Sequence, residues 1–331
     1  MTDAPATADF RHEALLYRGD REFVEQIAPF VIDGIANGEP TLVMVSGPKI
    51  EALRDHIGTG DGLVEYRDME VVGGNPARII PAWDAFAVSW AQRGVARMRG
   101  VGEPIWPGRA AVHVDECHWH EALINTAFAQ VQGFWLVCPY DAAGLDPGIV
   151  LEAQTTHPLI THSGSPNSNQ PHGTPVGFVV PTAPLASPLA EPDDVIAAMT
   201  FEACTLSELR ALVGAVGARA RLSPGRLDDL VLAVSEVATN SITHGGGRGV
   251  ARIWMDGGDV VCEVSDRGVI NDPLVDRQQP GADPSKPRGL WTANQLCDLV
   301  QLRSSRETGS VVRLLVHATL RSVMPPEARQ S

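Results

Sequence analysis

The residues between positions 163 and 175 cannot form part of a packed core. Eleven of these thirteen residues are Gly, Pro, Ser, Thr or Asn. Such a segment buries too little apolar surface to offset the conformational entropy that it loses on ordering. We therefore predict a linker over residues 163–192, between a first domain at residues 1–162 and a second domain at residues 193–320. Residues 321–331 would form a short tail, and the total of 331 residues fits two domains of ~150 residues each.

The first domain alternates between helical and strand patterns. Residues 22–37 carry apolar side chains at helical spacing, and the following Gly-Glu-Pro sequence ends that helix. The continuous apolar run over residues 41–46 is typical of a buried parallel strand. This alternation predicts a mostly parallel sheet with helices on both faces. The other predicted elements are helices from Lys49 and over residues 81–97 and 121–130, and strands over residues 110–114 and 134–138.

The second domain has a different order, in which helices precede pairs of strands. Residues 206–221 and 224–244 have helical patterns, and Ser223 and Pro224 suit the start of the longer helix. Glycine-containing turns connect the predicted strands into two hairpins, and another helix lies between the hairpins. We therefore predict an α/β sandwich with its helices on one face of the sheet. The hairpins cover residues 250–266 and 299–317, and the helix between them covers residues 290–297.

Two polar residues of the longer helix lie opposite to its apolar stripe. At about 100° per residue, Glu236 and Asn240 fall together on the face that points away from Leu230 and Val234. Such a pair is in most cases only part of a solvated polar surface. A carboxylate and a carboxamide one turn apart could instead bind a metal–phosphate group.

The order of short motifs around this helix resembles the GHKL ATPase superfamily and, within it, the anti-sigma-factor serine kinases. Residues 232–240 (LAVSEVATN) resemble the N-box, Asp266-Arg-Gly268 resembles the adenine-binding box, and Arg288-Gly-Leu290 resembles the box at the end of the lid. The resemblance covers about residues 193–320. It implies a sandwich in which helices cover one face of a mixed sheet, and it implies binding of ATP or ADP with Mg²⁺.

The resemblance also implies a role for each matched residue. Asn240 would be a Mg²⁺ ligand, and Glu236 would be the catalytic base that accepts the proton of the attacking hydroxyl. Asp266 would accept a hydrogen bond from the exocyclic amine of adenine, and it would thereby select adenine over guanine. The remaining residues of the implied nucleotide-binding set are Gly268, Arg288, Gly289, Leu290 and Ser310.

The first domain resembles the MEDS sensory domain, which has a RecA-like fold. The resemblance covers about residues 8–162 and implies a sensor of undefined ligand class. The residues that carry it are His12-Glu-Ala-Leu-Leu-Tyr17, Gly34, Gly38-Glu39-Pro40, Leu42–Val45, Cys138-Pro-Tyr-Asp141 and Thr156-His-Pro158.

One segment of the first domain has the outline of a phosphate-binding loop. Gly47-Pro48-Lys49 lies between a predicted strand and a predicted helix. The phosphate-binding pattern needs a second glycine directly before the lysine and a Ser or Thr after it, and this segment has neither. We therefore expect nucleotide in the second domain only.

Histidines are concentrated where permanent cations are missing. No Lys or Arg occurs between Arg109 and Arg210, yet this stretch holds six of the ten histidines. Cys117, His118 and His120 could ligate a metal, but alternate side chains of an extended segment point in opposite directions, and structural zinc needs four ligands. We expect ordinary histidines here, with a metal site or a pH response as alternatives. A pH response would require neighbouring carboxylates to raise the histidine pKa values.

Charge and composition exclude several functions. Residues 1–165 carry 22 acidic and 11 basic side chains, a net charge of −11, which argues against nucleic-acid binding by this half. No run of ~18 apolar residues or signal peptide is present, so no membrane association is expected. Five scattered cysteines without a CxxC motif predict a cytoplasmic protein with free thiols.

These observations predict an anti-sigma regulatory factor that binds ATP with Mg²⁺ and a sigma factor. It would phosphorylate a Ser or Thr of an anti-anti-sigma antagonist protein, and the first domain would act as its sensor. Two alternatives stay open: a non-catalytic binding module controlled by nucleotide, and a histidine-kinase-like sensor ATPase. A homodimer is compatible with each of the three.

Overall fold

A computed structural model describes residues 10–58, 60–162, 183–280 and 288–318. The chain forms two compact units, the first within residues 1–182 and the second within residues 183–331, with residues 277–279 grouped with the first. The division thus falls inside the predicted linker. Residues 163–182 of that linker and the predicted tail lie outside the described residues.

The first unit contains a six-stranded sheet in which all neighbouring strands run parallel. The strand order is β3-β2-β4-β5-β1-β6. The predicted mostly parallel sheet is therefore confirmed. Its strands are β1 (Arg11–Tyr17), β2 (Thr41–Val45), β3 (Val64–Asp68), β4 (Met98–Gly102), β5 (Phe134–Asp141) and β6 (Leu159–His162). Its helices are α1 (Gly19–Ala36), α2 (Gly47–Ile57), α3 (Met69–Val72), α4 (Ile79–Ala91), α5 (Ala111–Ala127) and α6 (Pro147–Thr156).

Helices pack on both faces of this sheet. On one face, Tyr17, Val43 and Val137 contact α1 and α2 in a single buried apolar cluster. On the other face, Trp83 of α4 packs against β4 so closely that a Cβ on Gly100 would lie 2.9 Å from the Trp83 ring. The glycine at this position therefore sets the distance between the helix and the sheet.

One predicted strand of the first unit is wrong. Residues 110–114 do not form a strand: Ala110 is the N-cap residue of helix α5, and residues 111–114 are the first turn of this helix, which continues to Ala127. Val114, Cys117 and Glu121 are buried at helical spacing. Five residues with alternating apolar side chains fit the start of a buried helix as well as they fit a strand, and only the length of the element separates the two.

The second unit contains a five-stranded sheet with the order β10-β11-β9-β8-β7. Every neighbouring pair of strands in the described part of this sheet is antiparallel, including the outer strand β7 with β8. The prediction was a mixed sheet. The long helices contact one another and the sheet, as the predicted sandwich requires. The strands are β7 (Ala197–Glu202), β8 (Arg248–Asp256), β9 (Asp259–Asp266), β10 (Leu299–Ser305) and β11 (Gly309–Val316). The helices are α7 (Ala183–Ala186), α8 (Leu206–Arg219), α9 (Pro224–His244) and α10 (Gly289–Leu296).

All five cysteines are free thiols, and four of them are buried. Among the described residues, no helix combines the length and the apolar character needed to cross a bilayer.

A buried ion pair joins three elements at the carboxyl ends of the parallel strands. Lys49 Nζ, in the first turn of α2, lies 2.7 Å from both carboxylate oxygens of Glu103, which follows β4. It also donates to the hydroxyl of Tyr17, at the end of β1. Burial raises the pKa of Glu103, and the ammonium of Lys49 opposes that shift. Since Lys49 and Glu103 are 8% and 1% exposed, each compensates the charge of the other away from water.

Replacing Glu103 by Gln should destabilise the first unit by about 3 kcal/mol, because the ammonium of Lys49 would stay buried without a counter-charge. The control is Glu51→Gln, which removes an exposed partner of Arg54 and should change stability by less than about 0.5 kcal/mol. Urea denaturation followed by tryptophan fluorescence measures both, since five of the seven tryptophans lie in the first unit. Equal midpoints for the two variants would show that the buried pair contributes nothing.

Candidate functional site

A pocket of about 270 Å³ lies in the second unit, where the end of α9 meets the ends of β9 and β11. Its walls are largely apolar, and its polar groups come from α9, from the end of β9 and the segment that follows it, and from the start of β11. The lining residues are Val237, Asn240, Ser241, His244, Gly245, Asp266, Gly268, Val269, Ile270, Asn271, Asp272, Val275, Leu290, Ser310 and Val312.

Asp266 is the acidic residue held most firmly in this pocket. One carboxylate oxygen accepts a hydrogen bond from the Ser241 hydroxyl at 2.6 Å, and the other accepts from the backbone N–H of Gly268 at 2.7 Å. Because each carboxylate oxygen has two lone pairs, both can accept a further hydrogen bond. The carboxylate is therefore oriented by the protein and can still accept from a donor in the pocket.

Two glycines allow the chain to surround Asp266 at contact distance. A Cβ on Gly245, at the end of α9, would lie 2.4 Å from Asp266 Cγ. A Cβ on Gly309, which has a φ of +80°, would lie 2.0 Å from the Asp266 carbonyl oxygen. No side chain can replace either glycine without moving the strand end.

Ser310 fixes the backbone next to Asp266. Its hydroxyl donates to the carbonyl oxygen of Gly268 at 2.9 Å and lies 3.0 Å from the hydroxyl of Ser304 on β10. Ser304 in turn accepts from the N–H of Ile270 at 2.8 Å. Serine hydroxyls thus attach the segment after β9 to β10 and β11, and Ser310 is only 3% exposed.

Glu236, Asn240 and Gly289 come together beside the pocket. Gly289 is the first residue of α10, and a Cβ on it would lie 2.8 Å from Asn240 Nδ2 and 3.2 Å from Glu236 Oε2. The N-terminus of α10 therefore rests on the two polar residues of α9. Asn240 and Leu290 line the pocket, whereas Glu236 and Arg288 are not among its lining residues.

The structure thus assembles most of the residues singled out from the sequence. Five of them line one pocket, namely Asn240, Asp266, Gly268, Leu290 and Ser310. Sequence reasoning missed Ser241 and Gly245, which hold and surround Asp266. A signal for Ser241 was present, because a serine within the apolar stripe of α9 indicates a buried polar contact. The lid residues 281–287 lie outside the described residues.

The segment that resembles a phosphate-binding loop has no free cation. The ammonium of Lys49 donates hydrogen bonds to Glu103 and Tyr17, so a phosphate group would have to displace a buried carboxylate.

Cys117, His118 and His120 lie on helix α5, and their side chains do not come together around one metal position. Cys117 Sγ donates to the carbonyl oxygen of Pro104 at 3.4 Å, and His118 Nδ1 lies 2.9 Å from the carboxylate of Glu152. Burial lowers the pKa of His118 and lowers that of His120 to about 3. The direction is opposite to the one a charged, pH-responsive pair would require, because burial outweighs the nearby carboxylates.

Two family models match the chain, and each covers most of one of the two sheets. Residues 11–158 match MEDS, the methanogen/methylotroph DcmR sensory domain. Residues 199–316, which include the whole pocket, match the histidine kinase-like ATPase domain. No curated protein is significantly similar to the chain. The chain therefore joins a MEDS sensory domain to a histidine kinase-like ATPase domain.

Proposed function

We propose that the ATPase domain binds ATP or ADP with Mg²⁺ and that the chain is an anti-sigma regulatory factor with protein serine/threonine kinase activity. The MEDS domain would supply the regulatory signal. The observation that carries the nucleotide proposal is the carboxylate of Asp266, which Ser241 and Gly268 orient inside an apolar pocket.

The chemistry of the pocket fits adenine. A flat, weakly polar base can contact Val237, Ile270 and Val312. Its exocyclic amine is a donor that the free lone pairs of Asp266 can accept. Guanine carries a carbonyl oxygen at the corresponding ring position, and that acceptor would face a carboxylate. Asp266 should therefore favour adenine over guanine.

The polar residues beside the pocket fit the phosphate end. The first N–H groups of α10, from Gly289 onward, have no partner within their helix and suit a phosphate oxygen. Asn240 offers a carboxamide oxygen as one Mg²⁺ ligand, and Mg²⁺ keeps waters and phosphate oxygens in its other positions. Glu236, one turn earlier, would accept the proton of a Ser or Thr hydroxyl during phosphate transfer.

The partners follow from the resemblance of residues 193–320 to the anti-sigma-factor serine kinases. On that basis, one partner is a sigma factor and the other is an antagonist protein that carries the phosphorylated Ser or Thr. The acidic first half of the chain supports protein partners over nucleic acid.

A second candidate function is a binding module that uses nucleotide without transferring phosphate. The position of Glu236 favours it, because this carboxylate faces Gly289 and does not line the pocket. A histidine-kinase-like function has less support. Residues 183–223 contain one strand, the long helix α8, the one-turn helix α7 and turns. A helical hairpin that could present a phosphorylated histidine is not among these described elements.

Asp266→Asn should weaken Mg-ATP binding about 10- to 100-fold, the loss expected for a charge-assisted hydrogen bond. Calorimetry on the full chain measures the dissociation constant. The matched control is Asp256→Asn, which changes an exposed residue of the same sheet and should bind like the wild type. Unchanged affinity in Asp266→Asn would contradict the proposed adenine contact.

Glu236→Gln should lower phosphate transfer to the antagonist about 10²- to 10⁴-fold, while nucleotide affinity stays near that of the wild type, because a base acts mainly in the transition state. Acid-stable phosphate on the purified antagonist is the readout. Glu208→Gln, an exposed change on α8, should leave transfer intact. Wild-type protein that binds Mg-ATP but transfers no phosphate would favour the binding module.

The sigma-factor partner can be tested separately. Purified sigma factors of the native host should bind the full chain with an affinity that changes between ATP and ADP. If none of them binds in either nucleotide state, the anti-sigma assignment fails even where Mg-ATP binding is observed.

A further inference from the structure

The MEDS domain contains a buried cluster of four side chains that the nucleotide pocket does not use. The cluster consists of His12 on β1, Glu121 on α5, Cys138 on β5 and His157 after α6. One ligand atom from each side chain lies within 4.8 Å of the other three. Each of the four residues is no more than 2% exposed.

The spacing of these atoms matches that of ligands around one small cation. Glu121 Oε2 lies 3.1 Å from His12 Nε2, 3.2 Å from His157 Nε2 and 3.5 Å from Cys138 Sγ. His12 Nε2 and Cys138 Sγ are 3.3 Å apart. Tetrahedral zinc ligands, at about 2.0 to 2.3 Å from the ion, are separated from one another by about 3.3 to 3.8 Å.

Hydrogen bonds on the far side of each ring fix the histidine tautomers. His157 Nδ1 lies 2.8 Å from the carbonyl oxygen of Ala153, which can only accept. His12 Nδ1 lies 3.1 Å from Asn125 Oδ1, whose own amide nitrogen donates to the carbonyl of Thr156. Both Nδ1 atoms therefore carry the proton, and in the neutral rings both Nε2 atoms carry a lone pair that points into the cluster.

This arrangement brings three acceptors together with one thiol proton. His12 Nε2, His157 Nε2 and Glu121 Oε2 converge, and Cys138 has one hydrogen to share among them. His157 Nε2 and Glu121 Oε1 make no aligned hydrogen bond. Buried acceptors without a donor are costly, and a central cation would satisfy the three that converge.

We propose that His12, Glu121, Cys138 and His157 bind one divalent ion of the zinc class. Two imidazoles, a thiolate and a carboxylate suit zinc, whereas Mg²⁺ and Ca²⁺ prefer oxygen ligands alone. On binding, the S–H bond of Cys138 breaks, its electron pair forms the sulfur–metal bond, and the proton leaves to water.

Four protein ligands leave no open coordination position, which is the pattern of a structural site. The ion would fasten the adjacent strands β1 and β5 to α5 and to the end of α6. Its free energy of binding would therefore add to the stability of the MEDS domain.

The test measures zinc bound to the full chain after expression in zinc-supplemented medium and gel filtration. The wild type should hold about one zinc ion per chain, and Cys138→Ser should hold at least about tenfold less. Cys117→Ser is the matched control, because Cys117 is another buried thiol of the same domain. Its sulfur donates a hydrogen bond to the carbonyl oxygen of Pro104, outside the cluster. Wild-type protein without zinc, or equal zinc loss in both variants, would overturn the proposal.

A second measurement applies even if Cys138→Ser fails to fold. X-ray absorption at the zinc edge of the wild type should show one sulfur ligand and three nitrogen or oxygen ligands. A chelator should lower the melting temperature of the wild type and of Cys117→Ser. A zinc shell without sulfur, or a melting temperature that the chelator leaves unchanged, would rule out coordination by these four residues.

Discussion

The carboxylate of Asp266 owes its position to a backbone approach that only glycine permits. Because Gly245 and Gly309 have no side chain, the end of α9 and the start of β11 both reach the residue. Ser241 and Gly268 can then donate to its two oxygens at once. A carboxylate that is ordered before a ligand arrives loses little freedom on binding. The same contacts hold the end of β9 against β11, so the shape of the apolar pocket depends on them too.

Two buried glutamates of the MEDS domain meet one electrostatic requirement in different ways. Glu103 has an internal cation, because both of its oxygens lie 2.7 Å from the ammonium of Lys49. Glu121 is surrounded by imidazole nitrogens and a thiol, none of which is a permanent cation. A buried carboxylate needs compensating positive charge. An ion held by Glu121 and its neighbours would supply for this residue what Lys49 supplies for Glu103.

The sequence predicted the fold best where a long pattern and its end signals agree. Helix α9 spans residues 224–244 as expected, because Pro224 suits its first turn and the apolar pattern at helical spacing continues over all 21 residues. Ser223 is the N-cap residue, but its side chain makes no capping hydrogen bond. Strand β4 was missed because its glycines weaken the strand pattern, although Trp83 requires them. The start of α5 was misassigned because five residues are too few to distinguish a period of 2 from a period of 3.6.

Prediction of the sites was limited by how far apart their residues lie in the chain. The nucleotide pocket could be anticipated because its motifs occur in a fixed order, yet the apolar walls and Ser241 became visible only in the fold. In the MEDS domain, the sequence directed attention to Cys117, His118 and His120, which are close in sequence but share no ligand position. Parallel strands bring together residues from distant positions, and they place His12 beside Cys138, 126 residues later. Local spacing identifies ligands on one helix or loop, whereas a site between adjacent parallel strands must be found from their register.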